Sequence, residues 1–318
     1  MRRILVTGGA GFLGSHFVER HALSFPEDRI VVLDALTYAA SRRNIVGRDV
    51  VFVHGDVTSE NDISTAWHAL AGAIDLVVHF AAESHVDRSI ADAAAFWRTN
   101  VLGTQRLLDA ARIHGVGRLI HVSTDEVYGP TRPGAPPTKE GAPLAPSSPY
   151  AASKAAADAL VAAAVSSSHC PAIILRPTNN FGTRQFPEKL LPVLILAALD
   201  GRNLPLYGDG LHQRDWIDVR DTADAIEILI EHGLSGCTYH ASAAQERNNL
   251  DVAMMVCRAA GVPESTISFV TDRPGHDRRY ALDAGPLRRL GWNPQHALDG
   301  VIPSLVAWYA TNRDHWHR

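Results

Sequence analysis

The sequence has little of what marks several large classes of protein. Its three cysteines, Cys170, Cys237 and Cys257, are too few and too scattered for a disulfide framework or a zinc site. Its longest uncharged, strongly apolar run covers the ten residues 190–199, which is too short for a helix that spans a bilayer. The sixteen histidines show no HxxxH or HExxH spacing, so the sequence predicts no metal site.

An excess of basic residues is also absent. The chain has 30 Lys and Arg against 34 Asp and Glu, a formal net charge of −4, whereas nucleic-acid binders usually carry a basic face. Arg2 and Arg3 run directly into Thr7-Gly8-Gly9, which leaves no apolar signal segment and no cleavage site. We therefore expect a cytoplasmic protein that binds neither nucleic acid nor membrane.

The composition that remains is that of a globular protein. Hydrophobic residues make up 46% of the chain and charged residues 20%, and 318 residues are enough for about two domains. The pattern changes after Pro177. We predict a first domain at 1–177 and a second, smaller lobe at 178–318, with some of its chain crossing back to the sheet of the first domain.

The first half alternates short apolar runs with longer helical patterns. Strands are predicted at 4–6, 30–33, 50–53, 76–80, 119–123 and 172–175, and helices near 12–24, 60–72, 93–114 and 149–168. Continuous apolar strands that alternate with helices indicate a Rossmann-like, doubly wound parallel sheet in an α/β protein. The second lobe is predicted to be mostly α, with helices near 187–200, 219–232, 249–260 and 299–313 and short strands at 238–240 and 267–269.

A glycine-rich turn follows the first predicted strand and opens a helix. Gly8, Gly11 and Gly14 have the spacing G-x-x-G-x-x-G. Glycine allows a tight turn and lets a pyrophosphate approach the backbone N–H groups at the helix N-terminus. Asp34 ends the second strand, twenty residues after Gly14, where a carboxylate accepts hydrogen bonds from an adenosine ribose.

The same aspartate bears on the choice of cofactor. A 2′-phosphate would lie against the negative charge of Asp34, so NAD is favoured over NADP. Arg42 and Arg43 could oppose this preference, but we interpret them as solvated loop residues. Asp56, after the third strand, is placed to meet the adenine. We expect a preference for NAD.

Two further groups of residues indicate proton chemistry. Tyr150 and Lys154 are four apart on a predicted helix and share one face, where an ammonium is expected to lower the pKa of a phenol. Thr124, Asp125 and Glu126 close the fifth strand, at the sheet edge where such folds bind ligands. A neutral acid beside an ionised base is suited to an elimination, whereas a simple Asx turn is the alternative for Asp125.

These motifs resemble those of the extended short-chain dehydrogenases/reductases, and most closely the dTDP-glucose 4,6-dehydratases. The resemblance covers nearly the whole chain. The Asp125-Glu126 pair is its most specific part, because related epimerases and decarboxylases generally lack the aspartate. The matching segments are 7–14, 80–89, 124–129, 148–154, 179–180, 185–189, 207–210, 214–216 and 273–277.

The resemblance implies an internal redox reaction that removes water from a nucleotide sugar, with dTDP-glucose as the expected substrate. Tyr150 would take the C4 hydroxyl proton while hydride passes from C4 to NAD, and Lys154 would hold the nicotinamide ribose. Thr124 would bond the same hydroxyl. Glu126 would remove the C5 proton and Asp125 would protonate the departing C6 hydroxyl, after which hydride returns to C6.

It also implies two sets of binding residues. Those expected at NAD are Gly8, Gly11, Phe12, Leu13, Gly14, Asp34, Thr37, Asp56, Val57, Phe80, Ala81, Ala82, Ser84, Thr99, Tyr150 and Lys154. Those expected at the sugar, diphosphate or nucleobase are Ser84, Asn179, Lys189, Tyr207, Arg214, Asn249, Arg273 and His276. Arg214 and Arg273 suit a diphosphate by charge and fork geometry.

The sequence departs from the family pattern near the expected substrate site. Thr178, Phe181, Thr183 and Arg184 replace a small residue, a tyrosine and a Pro-Tyr pair. These changes leave the exact sugar and nucleobase open. A nucleotide-sugar 4-epimerase or decarboxylase, and a non-catalytic NAD-binding protein, are the alternatives.

Apolar residues on more than one face of the helices near 93–114 and 149–168 favour a homodimer. In relatives such helices pair across a four-helix interface, whereas coverage by the second lobe is the alternative here. The residues concerned are Phe96, Leu107, Leu108, Leu160 and Val161.

Overall fold

The computed structural model describes residues 1–45, 49–273 and 275–316. Pro274, part of one motif noted above, lies outside these ranges. The strands are β1 Arg3–Thr7, β2 Arg29–Asp34, β3 Val50–His54, β4 Ile74–His79, β5 Val116–Val122, β6 Ala172–Pro177, β7 Asn179–Phe181, β8 Leu204–Tyr207, β9 Gln213–Asp218, β10 Thr238–Ala241, β11 Glu246–Asn248 and β12 Ile267–Val270.

The α-helices lie between these strands, except the last two, which follow β12. They are α1 Phe12–Ser24, α2 Glu60–His68, α3 Val86–Ala91, α4 Ala94–Phe96, α5 Thr104–His114, α6 Pro149–Ser168, α7 Leu190–Leu199, α8 Val219–His232, α9 Asn249–Ala260, α10 Gly285–Arg289 and α11 Leu298–Thr311. No helix among the described residues is long and apolar enough to cross a membrane.

A seven-stranded parallel sheet forms the centre of the molecule, as the Rossmann-like prediction required. Its order is β10-β6-β5-β4-β1-β2-β3. Its strands are apolar runs because both faces are covered. Phe17, Ile226 and Leu229 from α1 and α8 cover one face, and Trp67 and Val161 from α2 and α6 cover the other.

The seventh strand comes from the second lobe. The sequence predicts a strand at 238–240 but not which strand it pairs with. In the structure this strand, β10, pairs with β6. Helix α8 packs beside α1 and β10 joins the sheet, so residues 219–241 belong to the central layer. The remaining second-lobe chain forms two small sheets, β11-β9-β7 and β12-β8, around a core shared by α7, α9 and α11.

One predicted helix is interrupted. The segment near 93–114 consists of α4, a π-helical turn over Trp97–Gly103, and α5. Within the π-turn, Asn100 is buried, and its side chain bonds both the N–H and the C=O of Glu83 as well as the hydroxyl of Ser153. The wider turn thus brings a polar side chain to α6 that a regular helix would have placed elsewhere.

Candidate active site

A cleft of about 380 Å³ opens at the carboxyl ends of the central strands, within the size range of small-molecule sites. All sixteen residues expected at NAD line it, and so do all five candidate catalytic residues. Among the residues expected at the substrate, Ser84, Asn179 and Lys189 line the cleft. The others, Tyr207, Arg214, Asn249, Arg273 and His276, do not.

The glycine turn leaves no room for side chains at two of its positions. A Cβ on Gly14 would lie 2.3 Å from the carbonyl oxygen of Gly8. Gly8 itself has φ +71°, and a Cβ there would lie 2.6 Å from the backbone nitrogen of Ala81. The turn, α1 and the end of β4 are therefore packed backbone to backbone, which forms the open N-terminal cradle that a pyrophosphate requires.

Asp34 lies in the same cleft with its carboxylate held in place. One oxygen accepts a hydrogen bond from the Ala10 N–H at 2.9 Å and the other accepts from the Leu36 N–H at 2.8 Å. Arg42 and Arg43 do not line the cleft. Arg42 stacks on Phe52, and Arg43 donates to a backbone oxygen near the C-terminus. The charge beside the expected ribose is therefore negative, so these residues fit NAD.

Helix α6 places Tyr150 and Lys154 in the cleft. Ser148 caps the helix by accepting from the Ala151 N–H, and Pro149 occupies its first position. Tyr150 and Lys154 are both buried, and the Lys154 ammonium donates to the Val122 carbonyl at 2.8 Å. Burial lowers the pKa of Lys154 to about 8.

The pKa of Tyr150 differs from the sequence-based expectation. It is raised rather than lowered, first by burial and then by the negative charges of Glu126 and Asp125, which outweigh a hydrogen bond with Thr124. The ammonium of Lys154 is directed at a strand carbonyl. The expectation was wrong because helical spacing shows which residues share a face but does not reveal two carboxylates contributed by another segment.

Asp125 and Glu126 lie in a 3₁₀ turn, Asp125–Tyr128, here called the acidic turn. Thr124 caps it by accepting from the Glu126 N–H at 3.3 Å, and its hydroxyl donates to one oxygen of Asp125 at 3.1 Å. The other Asp125 oxygen is buried and has no hydrogen-bond partner among the described residues. In an Asx turn the carboxylate would accept from a backbone N–H, whereas the bond to Asp125 among the described residues comes from the Thr124 hydroxyl.

The two carboxyls have different surroundings. Burial, and then the charge of Glu126, raise the pKa of Asp125 to about 8, so this group is protonated at neutral pH. Burial also raises the pKa of Glu126, but Lys189, Arg214 and Arg273 act in the opposite direction. The pair can therefore present a neutral acid beside an ionised base.

The cations that act on Glu126 are residues of the second lobe. Lys189 donates to the Ser84 carbonyl at 2.7 Å, and Arg214 donates to the Asp277 carbonyl at 2.9 Å while stacking on Tyr280. Arg273 is paired with Asp87, which also accepts from the Tyr207 hydroxyl. The buried side-chain oxygen of Asn249 has no hydrogen-bond partner among the described residues. These groups form the positively charged side of the site.

Of the four departures from the family pattern, only Thr178 lines the cleft. Phe181 is fully buried against Trp216, and Arg184 pairs with Glu19 of α1. The Thr183 carbonyl bonds His16 of the same helix at 3.0 Å. The expectation that all four line the substrate cleft was therefore wrong, because Phe181 points into the core and the chain after β7 turns toward α1.

Sequence reasoning missed several polar residues of the cleft. They are Glu83, Asn180, Gln185 and Glu188, together with Asn100 behind α6. Glu83, Asn180, Gln185 and Glu188 fall inside segments that match the family, so the motif itself was an available signal. The sequence offers no comparable signal for Asn100, because a π-turn leaves no pattern in hydrophobic periodicity.

One group of side chains of the metal-ligating type was also missed. His212, Asp272 and His276 lie together among the described residues. The two imidazoles each contact one oxygen of Asp272, at 3.3 and 2.7 Å, and their rings stack at 3.7 Å. Nitrogens on stacked rings do not converge on one point in their own ring planes, so this group in its present form is a hydrogen-bonded cluster.

Comparison with known proteins identifies relatives over the whole chain. The family model described as the NAD dependent epimerase/dehydratase family matches residues 4–241. The chain is 44% identical to a dTDP-glucose 4,6-dehydratase from Actinoplanes sp., with 99% of each chain covered. It is also 44% identical to a low-salt glycan biosynthesis protein from Haloferax volcanii, with 96% of this chain and 98% of the relative covered.

A solved structure shows the same fold. The crystal structure of a dTDP-glucose 4,6-dehydratase from Streptomyces venezuelae, which has NAD bound, superimposes with a TM-score of 0.94. The two proteins are 43% identical, and the comparison covers 99% of each chain.

The raised pKa of Asp125 predicts a pH-dependent stability. The folded protein holds a proton that the unfolded chain releases between pH ~4 and ~8, so Asp125 destabilises the fold increasingly as the pH rises through that range. We expect Asp125→Asn to melt ~3–6 °C above the wild type at pH 8.5 and within ~2 °C of it at pH 5. Thermal unfolding across this range measures the difference.

The matched control is Asp299→Asn, at an exposed position in the first turn of α11. Its melting temperature should not rise relative to the wild type with increasing pH. A difference between Asp125→Asn and the wild type that is independent of pH would contradict the protonated state of Asp125.

Proposed function

The chain belongs to the NAD dependent epimerase/dehydratase family, and from this premise we propose that it is an NAD-dependent dTDP-glucose 4,6-dehydratase. The product is the 4-keto-6-deoxy sugar nucleotide, formed with loss of water. Relatives of this name match the chain over its full length. The observation that carries the proposal is the buried Asp125, whose pKa burial raises to about 8, directly beside Glu126, because an elimination needs an acid and a base within one site.

NAD is the cofactor, and the cleft supplies the groups to hold it. The glycine turn would bind the pyrophosphate, Asp34 the adenosine ribose, and Lys154 the nicotinamide ribose. When bound, NAD accepts a hydride from the sugar and returns it, so the reaction has no net redox change.

The residues of the acidic turn and α6 divide the proton transfers between them. We assign the C4 hydroxyl proton to Tyr150, with Thr124 bonded to the same hydroxyl. Lys154 lies one helical turn from Tyr150, where its ammonium is assigned to the nicotinamide ribose. A ketone at C4 acidifies the C5 proton, which Glu126 removes, while Asp125 donates its proton to the leaving C6 hydroxyl.

The second lobe binds the nucleotide part of the substrate in this proposal. Lys189, Arg214 and Arg273 all lower the pKa of Glu126, so they supply positive charge near it. A diphosphate bound by these groups would place the sugar between them and α6. Ser84, Asn179, Tyr207, Asn249 and His276 stay assigned to the substrate as predictions from the family motifs.

We also propose a cytoplasmic location, since the three cysteines, Cys170, Cys237 and Cys257, are unpaired as expected in a reducing compartment.

The first test is the reaction itself. We expect incubation with dTDP-glucose to give a 4-keto product lighter by one water, detected by mass analysis of the sugar nucleotide. UDP-glucose, assayed separately, tests the nucleobase. A C4 epimer of unchanged mass would contradict the dehydratase and favour a 4-epimerase.

A second test separates the proposed proton transfers. Asp125→Asn keeps the base at C5, so in D₂O we expect recovered substrate to carry deuterium at C5 while water loss falls ~10²–10⁴-fold. Glu126→Gln should lose both the exchange and the water loss but still reduce NAD, seen by absorbance. Tyr150→Phe, the third variant, should not reduce NAD. Normal dehydration by Asp125→Asn would contradict its role as the acid.

A homodimer is proposed on a different set of residues from the one that the sequence indicated. Phe96, Leu107, Leu108 and Val161 are buried within the chain, so they are unavailable for a partner, and Leu160 is partly buried against the core. The exposed apolar side chains in this region are Trp97, Leu102 and Ile113, and α6 exposes Ala159, Ala162 and Ala163. We expect light scattering to give twice the chain mass of 34.4 kDa at micromolar concentration. A monomer would contradict the proposal.

A further inference from the structure

A chain of buried polar side chains runs behind the cleft and is not used in the proton transfers described above. Asp158 is on α6, one turn beyond Lys154, with only 2% of its side chain exposed. One of its oxygens accepts from two nitrogens of Arg176 on β6, at 2.9 and 2.8 Å. The other oxygen lies 3.4 Å from His121 of β5. The neighbouring strands β5 and β6 thus contact the buried carboxylate that Asp158 contributes from α6.

The chain continues from Arg176 to the acidic turn. The Arg176 guanidinium donates to the hydroxyl of Tyr128, the last residue of that turn, and also lies 4.7 Å from the centre of its ring. The Tyr128 hydroxyl contacts His240 Nε2 at 2.7 Å. His240 Nδ1 lies 3.1 Å from the Asp283 carbonyl, so it carries the proton and leaves Nε2 to accept from Tyr128. The imidazole of His240 therefore has a defined direction, and the Tyr128 hydroxyl also lies 3.1 Å from the Glu140 carbonyl.

This path connects the two groups of proposed catalytic residues. Tyr150 and Lys154 lie on α6 with Asp158, whereas Asp125 and Glu126 lie in the acidic turn with Tyr128. Replacing a buried ion pair by apolar residues is often neutral or favourable for stability, so stability alone does not account for one at this place.

We propose that Asp158, Arg176 and Tyr128 are positioning residues for the dehydration. Asp158 keeps Lys154 charged, and the path through Arg176 to Tyr128 fixes the acidic turn relative to α6. The inference rests on the proposed function for its kinetic part and on the structure alone for the charge of Lys154.

The surroundings of Lys154 support the first part. Besides Asp158 on α6, the titratable groups that interact with its charge are His79 on β4 and His121 on β5. Burial lowers the pKa of His121 to about 4 and that of His79 well below its usual value, so both are neutral. Although burial opposes it, the pKa of Asp158 is lowered by His121, Arg176 and Lys154. Asp158 is therefore the anion opposite Lys154.

Lysine NMR tests this part without substrate. The sequence contains three lysines, Lys139, Lys154 and Lys189, so ¹³C-labelled lysine gives three signals that Arg variants assign. We expect Lys154 to titrate near pH 8 in the wild type and ~1–3 pH units lower in Asp158→Asn. Tyr128→Phe, which changes no charge, should leave the midpoint within ~0.5 unit. An unchanged midpoint in Asp158→Asn would overturn the proposed effect on Lys154.

Single-turnover kinetics tests the link to the acidic turn. Tyr128→Phe should slow water loss ~10-fold or more relative to C4 oxidation, because Asp125 and Glu126 are displaced while Tyr150 and Lys154 are not. The matched control is Tyr239→Phe on β10, which loses the bond of a buried hydroxyl to the Leu234 N–H. The control should lose similar stability in thermal unfolding without changing the ratio of the two steps.

Equal effects of Tyr128→Phe and Tyr239→Phe on that ratio would overturn the link and leave a purely structural network. The Tyr128→Phe comparison also decides the proposal if Asp158→Asn does not fold. A wild-type protein that forms no 4-keto product would instead contradict the proposed function, and the lysine titration would still report on Lys154.

Discussion

Burial of ionisable groups at the carboxyl end of β5 is the constraint on which the rest of the site depends. Asp125, Tyr150 and Lys154 are each less than a tenth exposed, and Glu126 lies beside them. Desolvation disfavours the charged form of each group, so it brings the pKa of Asp125 and that of Lys154 to about 8 but moves the pKa of Tyr150 further above neutrality. The protein has to hold these groups together although their burial is costly.

Secondary structure provides much of the support. The capped start of α6 and the short acidic turn bring four side chains to one point, and the π-turn lets Asn100 bond α6 and the loop after β4 at once. Each of these is a local departure from regular helix or strand. Such departures are energetically acceptable here because their free backbone groups are bonded to neighbouring segments.

The two parts of the chain contribute opposite charges to the site. The first domain supplies the negative charges of Asp34 and Glu126, and the second lobe supplies the cations that act on Glu126. A dinucleotide bound at Asp34 and a diphosphate bound at Arg214 and Arg273 would therefore lie in separate regions, the first negatively and the second positively charged. The departures at Phe181, Thr183 and Arg184 lie outside this arrangement, against Trp216 and α1.

Features that depend on neighbouring residues in the sequence were predictable from it. The glycine turn, Asp34 at the end of β2, the Tyr150 and Lys154 pair, and the Asp125-Glu126 pair all follow from local spacing and from strand ends that must meet at one edge. The alternation of strands and helices along the chain up to β6 is of the same kind. The tertiary structure decided the protonation states, because the shifts at Asp125, Tyr150 and Lys154 come from burial and from charges on distant segments. It also decided the pairing of β10 with β6 and the path from Asp158 to Tyr128, whose members are separated by too many residues for any local pattern to connect them.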